Sequence, residues 1–139
     1  MDTRVRMIDI EAIKANAALV VEACQGLVDF EFGYDERSVA WLEGYIERLR
    51  VSGTFEENPD HLMSVFGCYL GEAIIAAHGG RWNEDDTYPL HIMLEGDIRV
   101  FAFAKVRKQM ANGLDSGDSI LGFFRTIPAL SKMIGDQPI

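Results

Sequence analysis

From Leu62 to Ala77 the chain reads LMSVFGCYLGEAIIAA, sixteen residues with a single carboxylate, Glu72. A helix apolar on nearly all sides is buried on nearly all sides. A carboxylate held there must be paired, hydrogen-bonded or protonated. Glu72 is therefore a candidate general acid/base, a polar anchor for a ligand, or half of a structural ion pair. The cations close in sequence are Arg81, just past the helix, and Lys105 beyond the strands that follow. Either could clamp the helix to what comes after it. No second carboxylate, motif histidine or nucleophile accompanies Glu72, and a lone carboxylate is a poor basis for catalysis.

The other reactive side chains form no recognisable set. His61, His78 and His91 lack the HxxxH or HxxEH spacing of a metal site, and no CxxC is present. We expect no metal and no cofactor. His61 reads as a surface residue of a first helical turn, and His78 suits a helix C-terminus. His91 falls on either face of its strand. Cys24 and Cys68 both lie in apolar helical stretches, which predicts reduced, buried thiols. Gly79-Gly80-Arg81-Trp82 follows a helix, whereas phosphate loops precede one. It reads as a glycine stop and a Trp packed into a sheet.

Composition narrows the field further. The net charge is −9, and residues 1–60 carry 13 acidic against 6 basic side chains. Such a surface repels phosphate backbones and anionic membranes, so neither nucleic acid nor membrane is an expected partner. The basic group Arg99, Lys105, Arg107 and Lys108 is interleaved with Phe101 and Phe103, aromatics that fit a core better than a base-stacking platform. Glu84-Asp85-Asp86 reads as a hydrated loop. Asp9, Glu11 and Lys14 interrupt any signal-peptide core, and Glu72 cuts the longest apolar run below a membrane span. The expected compartment is the cytoplasm.

These side chains must be positioned by regular elements, and 139 residues suit one domain. Ile10, Ile13, Ala17, Val20, Val21 and Cys24 follow helical spacing, with Asp9 as cap and Gly26 as a left-handed stop. Val28, Phe30 and Phe32 alternate with acids, predicting a short strand or extended connector. Asp35 caps a second helix with the stripe Val39, Leu42, Tyr45, Ile46 and Leu49, ended by Gly53. Glu43, Glu47, Arg48 and Arg50 fall on its solvated face. Asn58-Pro59 opens helix three, which runs to His78. Gly67 and Gly71 share one face of it. They cost roughly 1–2 kcal/mol in helix propensity, which close packing of another element must return.

Arg81–Asn83, Leu90–Leu94 and Ile98–Phe101 then read as a three-stranded antiparallel meander, its hairpin at Glu95-Gly96-Asp97. Phe103, Val106 and Met110 mark a fourth helix closed by Asn112-Gly113. Ser116 or Asp118 caps a fifth, with Ile120, Phe124 and Ile127 inward. Pro128 predicts a break near Thr126 and a last short helix carrying Leu130 and Ile134. The fold class is α+β: helices, a small antiparallel sheet, then helices, with helix 59–78 packed on the sheet.

GCYLGEAIIAAHGGRW, followed by a strand pair and FAFAKVRKQMANGLDS, resembles a group of small uncharacterised bacterial domains. In that pattern a YLGE helix runs into GGRW, then strands, then an aromatic-rich KV segment that opens a helix. DFEFGYDERSVAWLEGYIERLR looks like its preceding helix, so the resemblance spans residues 28–126. Ala102 stands where proline is more usual. The resemblance implies a shared scaffold in which Glu72, Arg81, Trp82 and Lys105 recur together, and it implies no reaction.

Three functional readings follow. The first is a binding module for another protein, antitoxin- or immunity-like, its acidic first half suiting a basic partner. The second is a small-molecule binder or enzyme whose pocket is floored by Glu72. The third is a homodimer joined through an exposed aromatic patch including Trp41 and Phe55.

Overall fold

A computed structural model describes residues 9–56 and 59–135. Within them the chain forms α1 (Ile10–Gln25), α2 (Glu36–Val51), α3 (Pro59–His78), β1 (Arg81–Asn83), β2 (His91–Leu94), β3 (Ile98–Val100), α4 (Ala102–Asn112) and α5 (Ile120–Gly135), with single 3₁₀ turns at Thr54–Glu56 and Leu114–Ser116. This is the α+β arrangement expected. Asn58, the proposed cap of α3, lies outside the described residues.

α3 is the hub. Every residue from Val65 to Gly71 is buried, so neighbours surround the helix over two turns. α1 lies antiparallel against it, with Asn16 near Cys68 and Lys14 near Glu72. The inner stripe of α1, Ile13, Ala17, Val20 and Cys24, is buried as its spacing demands. On another side of α3, the sheet and α4 close in over the two glycines. A Cβ on Gly67 would overlap the ring of Phe103, and one on Gly71 would overlap the indole of Trp82. The missing side chains of α3 are thus the seats of two aromatic rings, whose centroids lie 5.8 Å apart. This packing returns the helix-propensity cost of two interior glycines.

The sheet has the order β1-β2-β3, all antiparallel. Trp82 pairs with Ile92 and Ile92 with Val100, while Leu94 pairs with Ile98. These five residues are buried. The period of two sends Arg81, Met93 and Arg99 together to the opposite face. Gly96 and Asp97 turn the β2–β3 hairpin with φ of 84° and 62°, the left-handed geometry that suits this turn.

One open choice is settled and three local expectations are corrected. Residues 28–32 form the extended connector and not a strand, because its backbone groups are taken by side chains. Gln25 accepts from the Phe32 N–H and donates to the Phe30 carbonyl, while Ser38 accepts from the Gly33 N–H. The alternation still does its work, since Phe32 is buried against Trp41 and Tyr69. Gly26 ends α1 with a right-handed φ of −71°, and a Leu27 N–H to Cys24 carbonyl bond closes the turn. The cap of α5 is Ser119, whose hydroxyl accepts from the Gly122 N–H at 2.8 Å. Asp118 instead accepts from Asn112. Finally, α5 runs through Pro128 without the expected break. Proline removes one helical hydrogen bond, and burial of Ile120, Phe124 and Ile127 holds this helix on the core before it.

Candidate functional site

Glu72 stands in the second turn from the end of α3, its side chain 11% exposed. Lys14 Nζ of α1 lies 3.0 Å from Oε1, and Trp82 Nε1 of β1 donates to Oε2 across 2.9 Å. Each carboxylate oxygen therefore has a donor, and α1, α3 and β1 meet at one side chain, α1 from 58 residues away. The pairing with Arg81 or Lys105 is replaced by one with Lys14. Arg81 sits beside Trp82 on a strand, and alternation that turns the indole inward turns the guanidinium to solvent. Lys105 lies on α4, where its Nζ sits 4.9 Å over the ring of Phe123. Of the four residues singled out in the sequence, Glu72 and Trp82 come together, and Arg81 and Lys105 stand apart.

The glycine turn before β1 makes this geometry possible. Gly79 and Gly80 have φ of 82° and 103°. A side chain on Gly80 would press on the Met93 carbonyl oxygen and on Leu94. Only a residue with no Cβ lets the chain reverse so tightly and hand Trp82 back to α3.

Around Glu72 the chemistry is that of a closed core. Burial raises the phenol of Tyr34, with the Glu72 charge adding to the rise and Lys14 opposing it. Tyr34 stacks on Tyr69 at 5.5 Å, and the Tyr69 hydroxyl donates to the Gly33 carbonyl at 2.6 Å. Burial raises the Cys68 thiol as well, and pushes the Cys24 thiol up to about 11. Thiols shifted upward are poor nucleophiles at neutral pH. Both cysteines are free and buried, as their apolar surroundings in the sequence suggest.

A second polar constellation escaped the reading of the sequence. Gln109 of α4 is fully buried. Its amide donates to the Glu43 carbonyl at 3.0 Å and accepts from the Ile120 N–H at 3.1 Å. The Glu43 carboxylate takes the Leu121 N–H and a short bond from the Ser119 hydroxyl. With the Phe123 N–H on the Ser119 carbonyl, the first four donors of α5 are all satisfied internally. Nothing is left there to hold an anion. Glu43 and Glu47, placed on a solvated face by spacing, are thus corrected to half-buried anchors. Glu47 pairs with Arg50 and accepts from the Leu114 N–H, and these contacts, the Arg50 bond foremost, hold its carboxyl below the usual range. Gln109 stands three residues after Val106 and seven after Ala102, so its signal is a polar residue on the buried stripe of α4.

His91 resolves to the inside. It is fully buried, and its Nδ1 lies 2.6 Å from the Pro89 carbonyl, so Nδ1 carries the proton and donates. Its Nε2 faces the Asn83 amide at 3.4 Å, and Phe101 and Tyr88 flank the ring. Asp85 orders the loop above by accepting from the Thr87 and Tyr88 N–H groups. It also faces Arg99 at 3.5 Å. That loop, read as merely hydrated, is therefore built around one carboxylate. Among the described residues, no group of three or more His, Cys, Asp or Glu could hold a metal, and no helix is long and apolar enough to cross a membrane.

A cleft of about 280 Å³ opens one helical turn before Glu72, walled by Asn16, Cys68, Glu84 and Phe103, and Glu72 is not among its walls. A groove of about 200 Å³ runs between α1 and α3, lined by Val20, Ala23, Leu62, Val65 and Phe66, with Tyr45 of α2 at one side. Leu19 and Leu27 stand on its edge, 57% and 60% exposed. A second cleft lies between the start of α3 and the end of α4. Glu72 lines neither. Trp41 is half-buried, stacked on Tyr45 and edge-on to Phe32, and so is tied into the fold. Compared with known protein families, with curated proteins and with solved structures, the chain matches none.

Proposed function

We propose that this protein acts by binding another protein, using the groove between α1 and α3 as its docking face. The observation that carries the reading is the exposure of Leu19 and Leu27 beside an apolar trough. Single exposed leucines are ordinary, but two on the edge of one groove form the kind of patch that marks interaction surfaces. The net charge of −9 supports a basic partner through long-range attraction, which raises the rate of encounter more than the final affinity. The role is that of an inhibitor-like or neutralising module, with no catalytic set required.

The rival reading, a pocket floored by Glu72, draws no support from the geometry around that residue. Both oxygens are occupied by protein donors, and no open cleft described above reaches them.

The test compares the native chain with Leu19→Glu and Leu27→Glu variants as baits. Both positions are exposed, so both variants keep the native circular dichroism. The expected result is a basic protein retained by the native chain, lost from the variants, and weakened by raised salt. Equal retention by all three baits would overturn the reading.

A further inference from the structure

The cleft between the start of α3 and the end of α4 combines three features. Its floor is apolar and soft: Met110 is buried, and Met63 and Phe55 are half-buried beside it. Methionine side chains adjust their shape to what lies on them. Its volume is about 240 Å³, below the roughly 300–1,000 Å³ of sites for drug-sized ligands. Its walls carry opposite charges from different elements, Asp60 on the first turn of α3 and Arg107 on α4. The two do not pair with each other, and neither has an ion-pair partner among the described residues.

We propose that this cleft binds a free apolar amino acid of about the size of leucine, methionine or phenylalanine. The ligand's carboxylate meets Arg107, its ammonium meets Asp60, and its side chain lies on Met63 and Met110. The charges select this chemistry. A simple anion is repelled by Asp60, and a simple cation by Arg107. An internal stretch of peptide offers neither terminal charge. A guanidinium matches a carboxylate with two parallel hydrogen bonds, which an ammonium wall could not do. The site is separate from the α1–α3 groove and does not depend on the docking role proposed for it.

Both charged walls are solvent-exposed, so the affinity is modest, with Kd on the order of 0.1–1 mM. The experiment is an NMR titration of the ¹⁵N-labelled full chain with L-leucine, L-methionine and L-phenylalanine. N-acetyl-L-leucine lacks the ammonium, and L-leucinamide lacks the carboxylate. The expected result is saturable shifts at residues 59–63 and 107–111 for at least one free amino acid, with both capped compounds about tenfold weaker or worse. Asp60→Asn should erase the preference over the acetylated compound, and Arg107→Gln the preference over the amide. Both changes are on exposed residues and leave the amide spectrum otherwise native. Absence of saturable shifts up to about 10 mM for all three amino acids would overturn the proposal. Equal binding of free and capped compounds would do the same.

Discussion

Trp82 rests on Gly71: the six-membered edge of the indole occupies the space that a Cβ on that glycine would need. The same ring donates its N–H to Glu72, the next residue along α3. One helix position thus contributes by having no side chain and its neighbour by having a charged one. Together they fix a strand to the central helix.

Gly71→Ala tests this seat through the sign of its effect. In a free helix the change gains about 1 kcal/mol. Here it forces overlap with Trp82 and crowds Ile92, and overpacking costs about 1–3 kcal/mol. Urea denaturation should show a net loss of stability of up to about 2 kcal/mol. A stabilised variant would mean that Trp82 is free to move away.

The Glu72 clamp is read by double-mutant cycles. Glu72 with Trp82, by Glu72→Ala and Trp82→Phe, should couple by about 1–2 kcal/mol, as expected for a charge-assisted bond in a part-buried site. Glu72 with Lys14 should couple by less than about 1 kcal/mol, because Lys14 is 62% exposed. Cycles with Arg81 or Lys105 should give coupling near zero. Strong coupling to either would contradict the placement of those residues.

Alkaline pH should destabilise the fold, and the sign follows from the thiols and phenols. Unfolded Cys24 ionises near its ordinary value of 9, whereas the folded chain keeps the proton until about 11. Burial likewise holds Tyr69 above its ordinary value of 10. The folded state therefore binds more protons in this window, and stability falls as pH rises through it. Cys24 alone accounts for a loss on the order of 2 kcal/mol between pH 9 and 11. The matching measurement is unfolding free energy at pH 7, 9 and 11, with Cys24→Ala flattening the decline. A thiol reagent at pH 8 should leave Cys24 unmodified until denaturant is added.

Gln109→Leu should cost about 1–3 kcal/mol. It keeps the volume but strands the buried Ile120 N–H, which Gln109 satisfies, while the Glu43 carbonyl keeps its bond within α2. Ser119→Ala, which removes the cap of α5 and the hydroxyl's bond to the Glu43 carboxylate, should cost about 1–2 kcal/mol. Hydrogen exchange should quicken first at the amides of residues 120–123 in both variants. Unchanged exchange there would show that α5 is anchored by its apolar face alone.

Periodicity and punctuation in the sequence determined the elements and the inside of each. The stripe of α1 and the alternation of β1 and β3 repeat at the period of their backbone, so one face had to be buried, while the run from Val65 to Gly71 has no polar side and was buried all round. Even the closeness of some element to Gly67 and Gly71 followed, because bare helix positions invite it. Which partner each polar group takes was decided by the tertiary structure. Lys14 lies 58 residues before Glu72 and Gln109 lies 66 after Glu43. Such pairings depend on how helices stack, and no local repeat records that. The same holds for the connector at 28–32, where the claims of Gln25 and Ser38 on the backbone outweighed a strand pattern. It holds equally for α5, whose burial carried it through a proline. Local sequence encodes which side faces water; the choice among charged and polar partners waits until distant surfaces meet, since a hydrogen bond acts over only about 3 Å.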